Sequence, residues 1–325
     1  MKYRNFGKTR LNVSEIGFGA WAIGAHWGIQ SEKDSIAALH KGLDRGINFI
    51  DTAIGYGEGK SESIIGEVLK ERNDDRIILA TKIPPRPGPW PPSPYCKIED
   101  RYPAKYIRER VEFSLKNLKR DYIDIMQLHT WTRAWNRNPV ALDTLNELKK
   151  EGKIRHIGIS TPEHDQNALI LPMREKLIES VQLIFNIFEQ EPAADLLPVA
   201  EENGIGVIVR MAFDEGVLTG KYKKDHVFPD NDFRSKYFAG DRVARAVTRV
   251  EKIKKDIANS GYSMPEAAVK FSLAHPAIST VITGIRNTKQ AERNAAVSDL
   301  MDPPDSLLKK LRKHAWQRAF WYTGK

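Results

Sequence analysis

Residues 47–82 read INFIDTAIGYGEGKSESIIGEVLKERNDDRIILATK. The run Ile47–Asp51 (INFID) is short and apolar up to its final carboxylate. A glycine-rich turn carrying Tyr56 follows, and Ser61–Lys70 then places Ile64, Ile65, Val68 and Leu69 on one stripe at helical spacing. The next apolar run, Arg76–Lys82 (RIILATK), also ends in an ionisable residue. Two nearly continuous apolar runs joined by an amphipathic helix suit parallel strands buried on both faces.

The same alternation extends in both directions. Ile16–Ala20 (IGFGA) precedes this unit. Tyr122–His129, Ile154–Ser160, Val181–Phe185, Ile205–Arg210 and Thr280–Gly284 follow it. Helical patterns lie between them. One opens at Ser31 with Asp34 in capping-box spacing and ends at Arg45-Gly46. A second carries Ile107, Val111, Leu115 and Leu118, and a third Leu142, Leu145 and Leu148 before Gly152. Further helices are expected near 163–179, 192–203, 242–260 and 265–275. Eight β/α units favour closure into a (β/α)8 TIM barrel forming a single domain over residues 1–325, with an open doubly wound sheet as the alternative. Gly7-Lys8-Thr9 between β-prone pieces predicts an N-terminal hairpin, and Pro304–Lys325 a C-terminal helix folding back toward the strand ends. The segments 84–103 and 211–240 are long and irregular; both follow strands and so belong to the rim where barrels carry their sites.

Composition sets the boundaries. With 325 residues, 41% of them hydrophobic, the chain has enough apolar material for one large core. One cysteine, Cys96, rules out an intramolecular disulfide and fits a reducing compartment. The N-terminus lacks the apolar centre of a signal peptide, and no apolar run approaches the ~20 residues needed to cross a bilayer. A cytoplasmic protein is expected. The net charge of +9 comes from basic residues interspersed with acidic ones, and no zinc-finger spacing accompanies it. It reads as a surface mildly attractive to anions, with no nucleic-acid partner and no metal site.

Three successive strands end in Asp51, Lys82 and His129, with Tyr56 in the turn after the first. Taken singly, Asp51 and Lys82 fit a buried structural ion pair, and His129 an ordinary rim histidine. Together they suit carbonyl reduction. A proton must reach the carbonyl oxygen, and a phenol with an ordinary pKa of ~10 is a poor donor near neutrality. Lys82 is expected to lower it, Asp51 to hold Lys82 charged, and His129 to orient the carbonyl. None of these groups carries hydride, so a nicotinamide cofactor is implied.

These motifs resemble the aldo-keto reductase superfamily, in its bacterial-type and potassium-channel-β-like branch. The likeness runs through YRNFGKTRLNVSEIGFGAW, DTAIGYGEGKSE, ATK, SLKNLKRDYIDIMQLH, GKIRHIGIS, VQLIFNIFEQ, GVLTGKY and VITGIRNTKQAERN. It implies a (β/α)8 barrel that binds NADPH or NADP+ without a Rossmann domain, reducing an aldehyde or ketone to an alcohol with Tyr56 as proton donor. Accordingly, Gly55–Gly59 is not G-x-G-x-x-G, and Gly59-Lys60-Ser61 lacks the earlier glycine of a P-loop, which would fall at Ile54.

Carried over by resemblance, Ser160, Thr161 and Gln182 fall at the nicotinamide carboxamide. Gly19, Ala20 and Trp21 line the cofactor and substrate mouth, and Asp51 also borders the cofactor. Leu218, Gly220 and Lys221 fall at the pyrophosphate, with Arg234 beside them. Gly284, Arg286, Gln290 and Asn294 match the adenosine end, where Arg286 is suited to a 2′-phosphate. Several positions depart from the family pattern. Thr161 replaces an asparagine, Arg293 replaces a glutamate, and the proline-rich segment with Trp90 and Tyr95 is unusually long. Arg210 stands where an aromatic usually stacks, and its charge is expected to disfavour oxidised nicotinamide. Trp21, Tyr56, Trp90, His129 and Trp131 are the candidate substrate contacts, with Trp135, Phe213, Trp316 and Trp321 either lining the mouth or packing loops. Two other functions share the framework: a non-catalytic NADPH-binding regulatory subunit, against which His129 counts, and an NADP-dependent alcohol or sugar dehydrogenase.

Overall fold

The computed structural model describes residues 1–24, 30–90 and 92–316. Strands β1 (Tyr3–Asn5) and β2 (Asn12–Ser14) form the antiparallel hairpin. Eight further strands follow: β3 (Ile16–Gly19), β4 (Phe49–Asp51), β5 (Ile78–Ile83), β6 (Ile123–Leu128), β7 (Ile154–Ser160), β8 (Ser180–Ile184), β9 (Gly206–Arg210) and β10 (Thr280–Gly284). All pair in parallel, and β10 bonds to both β9 and β3, so the sheet closes. Closure removes the open-sheet alternative. Every barrel strand overlaps one of the eight apolar runs.

The barrel has two distinct apolar regions. Outside, the helices lay their buried stripes against the strands, as Ile64, Ile65, Val68 and Leu69 do from the helix Lys60–Arg72. Inside, Phe49, Ile78, Ala80, Ile125, Ile208 and Ile282 pack with Phe6, Val13 and Leu11 of the hairpin. The hairpin is therefore a plug at the N-terminal ends of the strands. Lys8 donates its backbone N–H to Gly204 O at 2.8 Å, just ahead of β9. Gly206 has no room for a side chain, because a Cβ there would stand 2.4 Å from the Phe6 ring. The hairpin thus closes one end of the barrel, and the C-terminal ends of the strands form the other.

Helix boundaries differ from expectation most after β7; the helix expected near 192–203 also starts late, at Leu196, and short helices at Ile98–Arg101 and Phe233–Tyr237 interrupt the segments read as irregular. The helix anticipated over 163–179 is a 3-10 turn, Gln166–Leu169, running into the short helix Ile170–Arg174. Pro172 explains the loss: it has no N–H to donate, and its ring would clash with the carbonyl four residues earlier in a longer helix. At the C-terminus, the helix Asp305–Arg312 is followed by Trp316, which is buried edge-on against Phe188 and donates its backbone N–H to Phe188 O at 2.9 Å. Phe188 follows β8, so the tail does return to the strand C-terminal side. Trp321 lies outside the described residues. No described helix is long and apolar enough to cross a membrane.

Truncating the plug tests this arrangement. Phe6→Ala removes a fully buried ring and should cost about 3–5 kcal/mol in urea unfolding. A loss below about 1 kcal/mol would show that the hairpin does not support the barrel floor.

Candidate active site

Strand alternation builds the site from below. Two residues beyond the apolar floor, the inward-facing position becomes polar on four strands: Phe49 gives way to Asp51, Ala80 to Lys82, Ile125 to Gln127, and Ile208 to Arg210. One further step on β6 reaches His129. The register places Lys82 beside Gln127, and Ser160 beside Gln182. A polar layer thus lies on an apolar one, at the mouth opposite the hairpin.

Lys82 is the hub of that layer. Its ammonium donates to Asp51 Oδ1 at 2.6 Å, to the Thr52 carbonyl at 2.8 Å and to Tyr56 Oη at 3.3 Å. Three donors meet three acceptors, and the side chain has no exposed surface. The other Asp51 oxygen accepts from Gln182 at 2.7 Å and more weakly from Gln127 at 3.4 Å. The Tyr56 ring meets the His129 ring edge-on, with centroids 6.0 Å apart, and stacks against Trp21 at 6.2 Å. The four residues anticipated as catalytic therefore gather at one opening.

Charge states follow from this packing. Burial opposes the Lys82 charge, but Asp51 and the Tyr56 phenol outweigh it, and the pKa rises above the ordinary lysine value. Burial drives the Tyr56 phenol above its ordinary 10; Lys82 pulls it down and Asp51 pushes it up again. The cation thus acts in the anticipated sense, yet the net shift is upward, contrary to expectation, because desolvation of a phenolate exceeds the pull of an ammonium already shared with a carboxylate. Burial, with Lys82 and Arg210 nearby, holds the His129 imidazole well below 6.5. At neutral pH the site presents a charged lysine, a protonated phenol and a neutral imidazole.

The residues anticipated for a cofactor follow around the C-terminal ends of the strands. Ala20 donates its backbone N–H to Asp51 O at 2.9 Å, which fixes Gly19, Ala20 and Trp21 beside Asp51. Gln182 Oε1 is buried with no hydrogen-bond partner among the described residues, an unsatisfied acceptor beside Asp51. Thr161 is turned away, its hydroxyl donating to Gln166 at 3.2 Å. Arg210 does not stand as an uncompensated cation. It pairs with Glu163 at 3.0 Å and donates to Thr161 O at 3.2 Å, which offsets part of the charge expected to disfavour an oxidised ring.

Further along, Gly216 and Gly220 both take positive φ, +92° and +72°, flanking the turn that buries Leu218 and presents Lys221. Burial, then Arg234, Arg286 and Arg293, depress the Lys221 pKa, so four cations gather there. Arg234 is held by Asp232 and by the Tyr222 hydroxyl at 2.7 Å. Arg286 bonds Gln30 at 2.9 Å, and its backbone N–H is bound by Gln290 at 2.8 Å. Asn294 lies 3.5 Å from Gly284 O. Arg293, noted in the sequence only as a departure, belongs to this cluster.

The aromatic candidates divide. Trp21 covers Tyr56 and touches the Phe233 ring at 5.5 Å, so it borders the mouth. Trp131 does not: it has no exposed surface, its indole N–H donates to Asn136 at 2.7 Å, and it packs edge-on against Trp135. It is loop core, a correction to its reading as a substrate contact. Trp90 is 45% exposed on the proline-rich loop, which Arg101 ties together through the Arg86 and Pro89 carbonyls. Gln127 was missed; it lies two residues before His129 on the inward face, so period-two counting from His129 reaches it.

A closed parallel barrel with a carboxylate, an ammonium, a phenol and an imidazole at its mouth defines a barrel oxidoreductase. The family model for the aldo/keto reductase family matches residues 15–315, and the chain belongs to that family. It is 34% identical to the aldo-keto reductase YhdN of Bacillus subtilis over 90% of this chain and 87% of that one. It is 30% identical to the NADH-specific methylglyoxal reductase of Escherichia coli, over 98% and 100%. The holo form of aldo-keto reductase AKR11C1 from Bacillus halodurans superposes with a TM-score of 0.77, at 27% identity over 97% of this chain and 96% of that one. The chain is thus similar to carbonyl-reducing oxidoreductases that use nicotinamide cofactors.

Breaking the central pair should be costly whatever the substrate. Lys82→Met leaves the buried Asp51 carboxylate without its cation and should destabilise the fold by about 3–5 kcal/mol in chemical denaturation. The double variant Lys82→Met with Asp51→Asn should recover much of that loss. A double variant no more stable than the single one would mean the two side chains are not energetically coupled.

Proposed function

We propose that this protein is an NADPH-dependent reductase of aldehydes or ketones, in which Tyr56 supplies the proton. One observation carries the reading: a single buried ammonium bridges Asp51 and the Tyr56 hydroxyl, at 2.6 and 3.3 Å, at the open end of the barrel. The bound dinucleotide supplies hydride. Residues present fit such a cofactor, since the orphan acceptor Gln182 Oε1 suits a carboxamide and the cations around Lys221 suit phosphates.

The protein's own groups divide the remaining work. Tyr56 holds its proton at Oη through neutrality and can hand it to a carbonyl oxygen as negative charge develops there. Lys82 then faces the nascent phenolate and stabilises it, an interaction stronger after transfer than before. Neutral His129 can donate one ring N–H to the same oxygen and so orient the carbonyl. Trp21, stacked on Tyr56, screens that proton from solvent. NADPH is preferred to NADH in this reading because Arg286 and Arg293 concentrate positive charge around Lys221. The Escherichia coli relative is named as NADH-specific, so this preference must be tested on this chain.

Tyr56→Phe should lower turnover by about 10³-fold or more while leaving NADPH affinity within about twofold. Turnover close to wild type would reject Tyr56 as the acid. Reduction should also hold a broad pH plateau. A phenol raised above 10 stays protonated through pH 9, and an imidazole lowered below 6.5 stays neutral down to the acid side of that value. The rate should therefore fall on the alkaline side only above pH 10; a decline centred near pH 7 would contradict the assigned protonation states. Arg286→Ala should weaken NADPH by about tenfold more than NADH in fluorescence titration. Equal weakening would take Arg286 away from the 2′-phosphate.

A further inference from the structure

The loop after β9 carries a carboxyl that the fold does not use. Glu215 is 3% exposed, and neither of its carboxyl oxygens has a hydrogen-bond partner among the described residues. Burying such a group unpaired costs stability, so its retention calls for a reason. The backbone beneath it is strained as well. Met211, Asp214 and Glu215 take φ of +57°, +46° and +54°, values that side chains other than glycine rarely adopt. Strain of this kind concentrates at ligand clamps.

The surroundings indicate what the carboxyl faces. Asp214 adjoins it in the loop, Arg210 acts on it from the end of β9, Glu163 from the segment after β7, and Arg234 from the helix Phe233–Tyr237. Burial, then Asp214, raise its pKa to about 8, with the two arginines pulling the other way. Arg210 ends β9 and also acts on Tyr56 and His129. Arg234 acts on Lys221 together with Arg286 and Arg293. Glu215 lies on the loop that joins the end of β9 to the turn Val217–Thr219 ahead of Lys221, and so between these two groups of residues along the chain. A dinucleotide with its reactive ring at Tyr56 and its phosphates on the cations must lay the intervening ribose between these two arginines. That ribose carries two hydroxyl donors; the Glu215 carboxyl, largely protonated near neutrality, offers its carbonyl oxygen as an acceptor, and both oxygens once ionised.

We propose that Glu215 is a cofactor-positioning residue that accepts hydrogen bonds from the hydroxyls of the ribose next to the reactive ring. The assignment rests on the dinucleotide reading above. It makes Glu215 a group that weakens the free protein and is satisfied only in the complex.

The test uses the full-length protein, Glu215→Ala and Glu215→Gln, with two probes: NADPH, and 2′,5′-ADP, which has the phosphates and adenosine but no second ribose. Glu215→Ala should weaken NADPH about tenfold or more, leave 2′,5′-ADP within about twofold, and melt without ligand at or above the wild-type temperature. Glu215→Gln, which keeps one acceptor and the shape, should lose less NADPH affinity and decides the matter if the alanine variant does not fold. Unchanged NADPH affinity in both variants overturns the proposal, as does equal weakening of both probes with a lowered melting temperature, the mark of mere loop support. Wild-type protein that binds neither probe would instead remove the dinucleotide reading itself, and this assignment with it.

Discussion

The Lys82–Asp51 ion pair is the constraint on which the rest of the site depends. An ammonium with no exposed surface would ordinarily lose its proton, because burial disfavours its charge. It keeps that proton because a carboxylate lies 2.6 Å away and a carbonyl and a phenol take its remaining hydrogens. Asp51 in turn is stabilised by Gln182 and Gln127. Such a pair contributes little net stability compared with apolar packing of the same volume. Its use is positional: a fixed positive charge under Tyr56, in a medium where that charge is felt strongly.

That pair can exist only because the barrel stacks a polar layer on an apolar one. Phe6 and Val13 of the hairpin seal the floor, and the inward residues of β4, β5, β6 and β9 complete it. Adjacent strands in parallel register then carry their next inward residues to the same height, which is why Lys82 stands beside Gln127 and close to Asp51. A single-residue slip of β5 would turn Lys82 outward, into the layer where the helices pack. Register, set by the apolar floor, is therefore what positions the chemistry.

The strands were legible because parallel strands buried on both faces have a simple signature, the short unbroken apolar run. The gathering of Asp51, Tyr56, Lys82 and His129 was legible for the same reason: each sits at or just after the end of such a run. Features that depend on which neighbour arrives from elsewhere in the chain were not. The upward shift at Tyr56 is a balance between desolvation and two opposed charges, and residue types alone reveal only the charges. Trp131 falls on a rim loop in sequence but turns into the loop's own core, where Asn136 takes its N–H. The Glu163 partner of Arg210 comes from a different β/α unit, so an arginine that looked uncompensated is paired. At 163–179 helical spacing overrode the stronger local signal, Pro172.

The polar centre around Lys82 and the loops around it differ in how well their polar groups are satisfied. At the centre, each hydrogen of the Lys82 ammonium meets an acceptor, so little reorganisation is needed when charge develops on a bound oxygen. Around it the reverse holds. Burial, then Arg234, Arg286 and Arg293, depress Lys221, and among the described residues Gln182 has an unused acceptor and Glu215 has two, on a loop that takes positive φ. In the proposed reading each of these features costs the free protein something that a ligand of matching chemistry would offset: anionic groups at the cations, an amide at Gln182, hydroxyls at Glu215. A nicotinamide dinucleotide with its ring toward Tyr56 carries all three kinds of group.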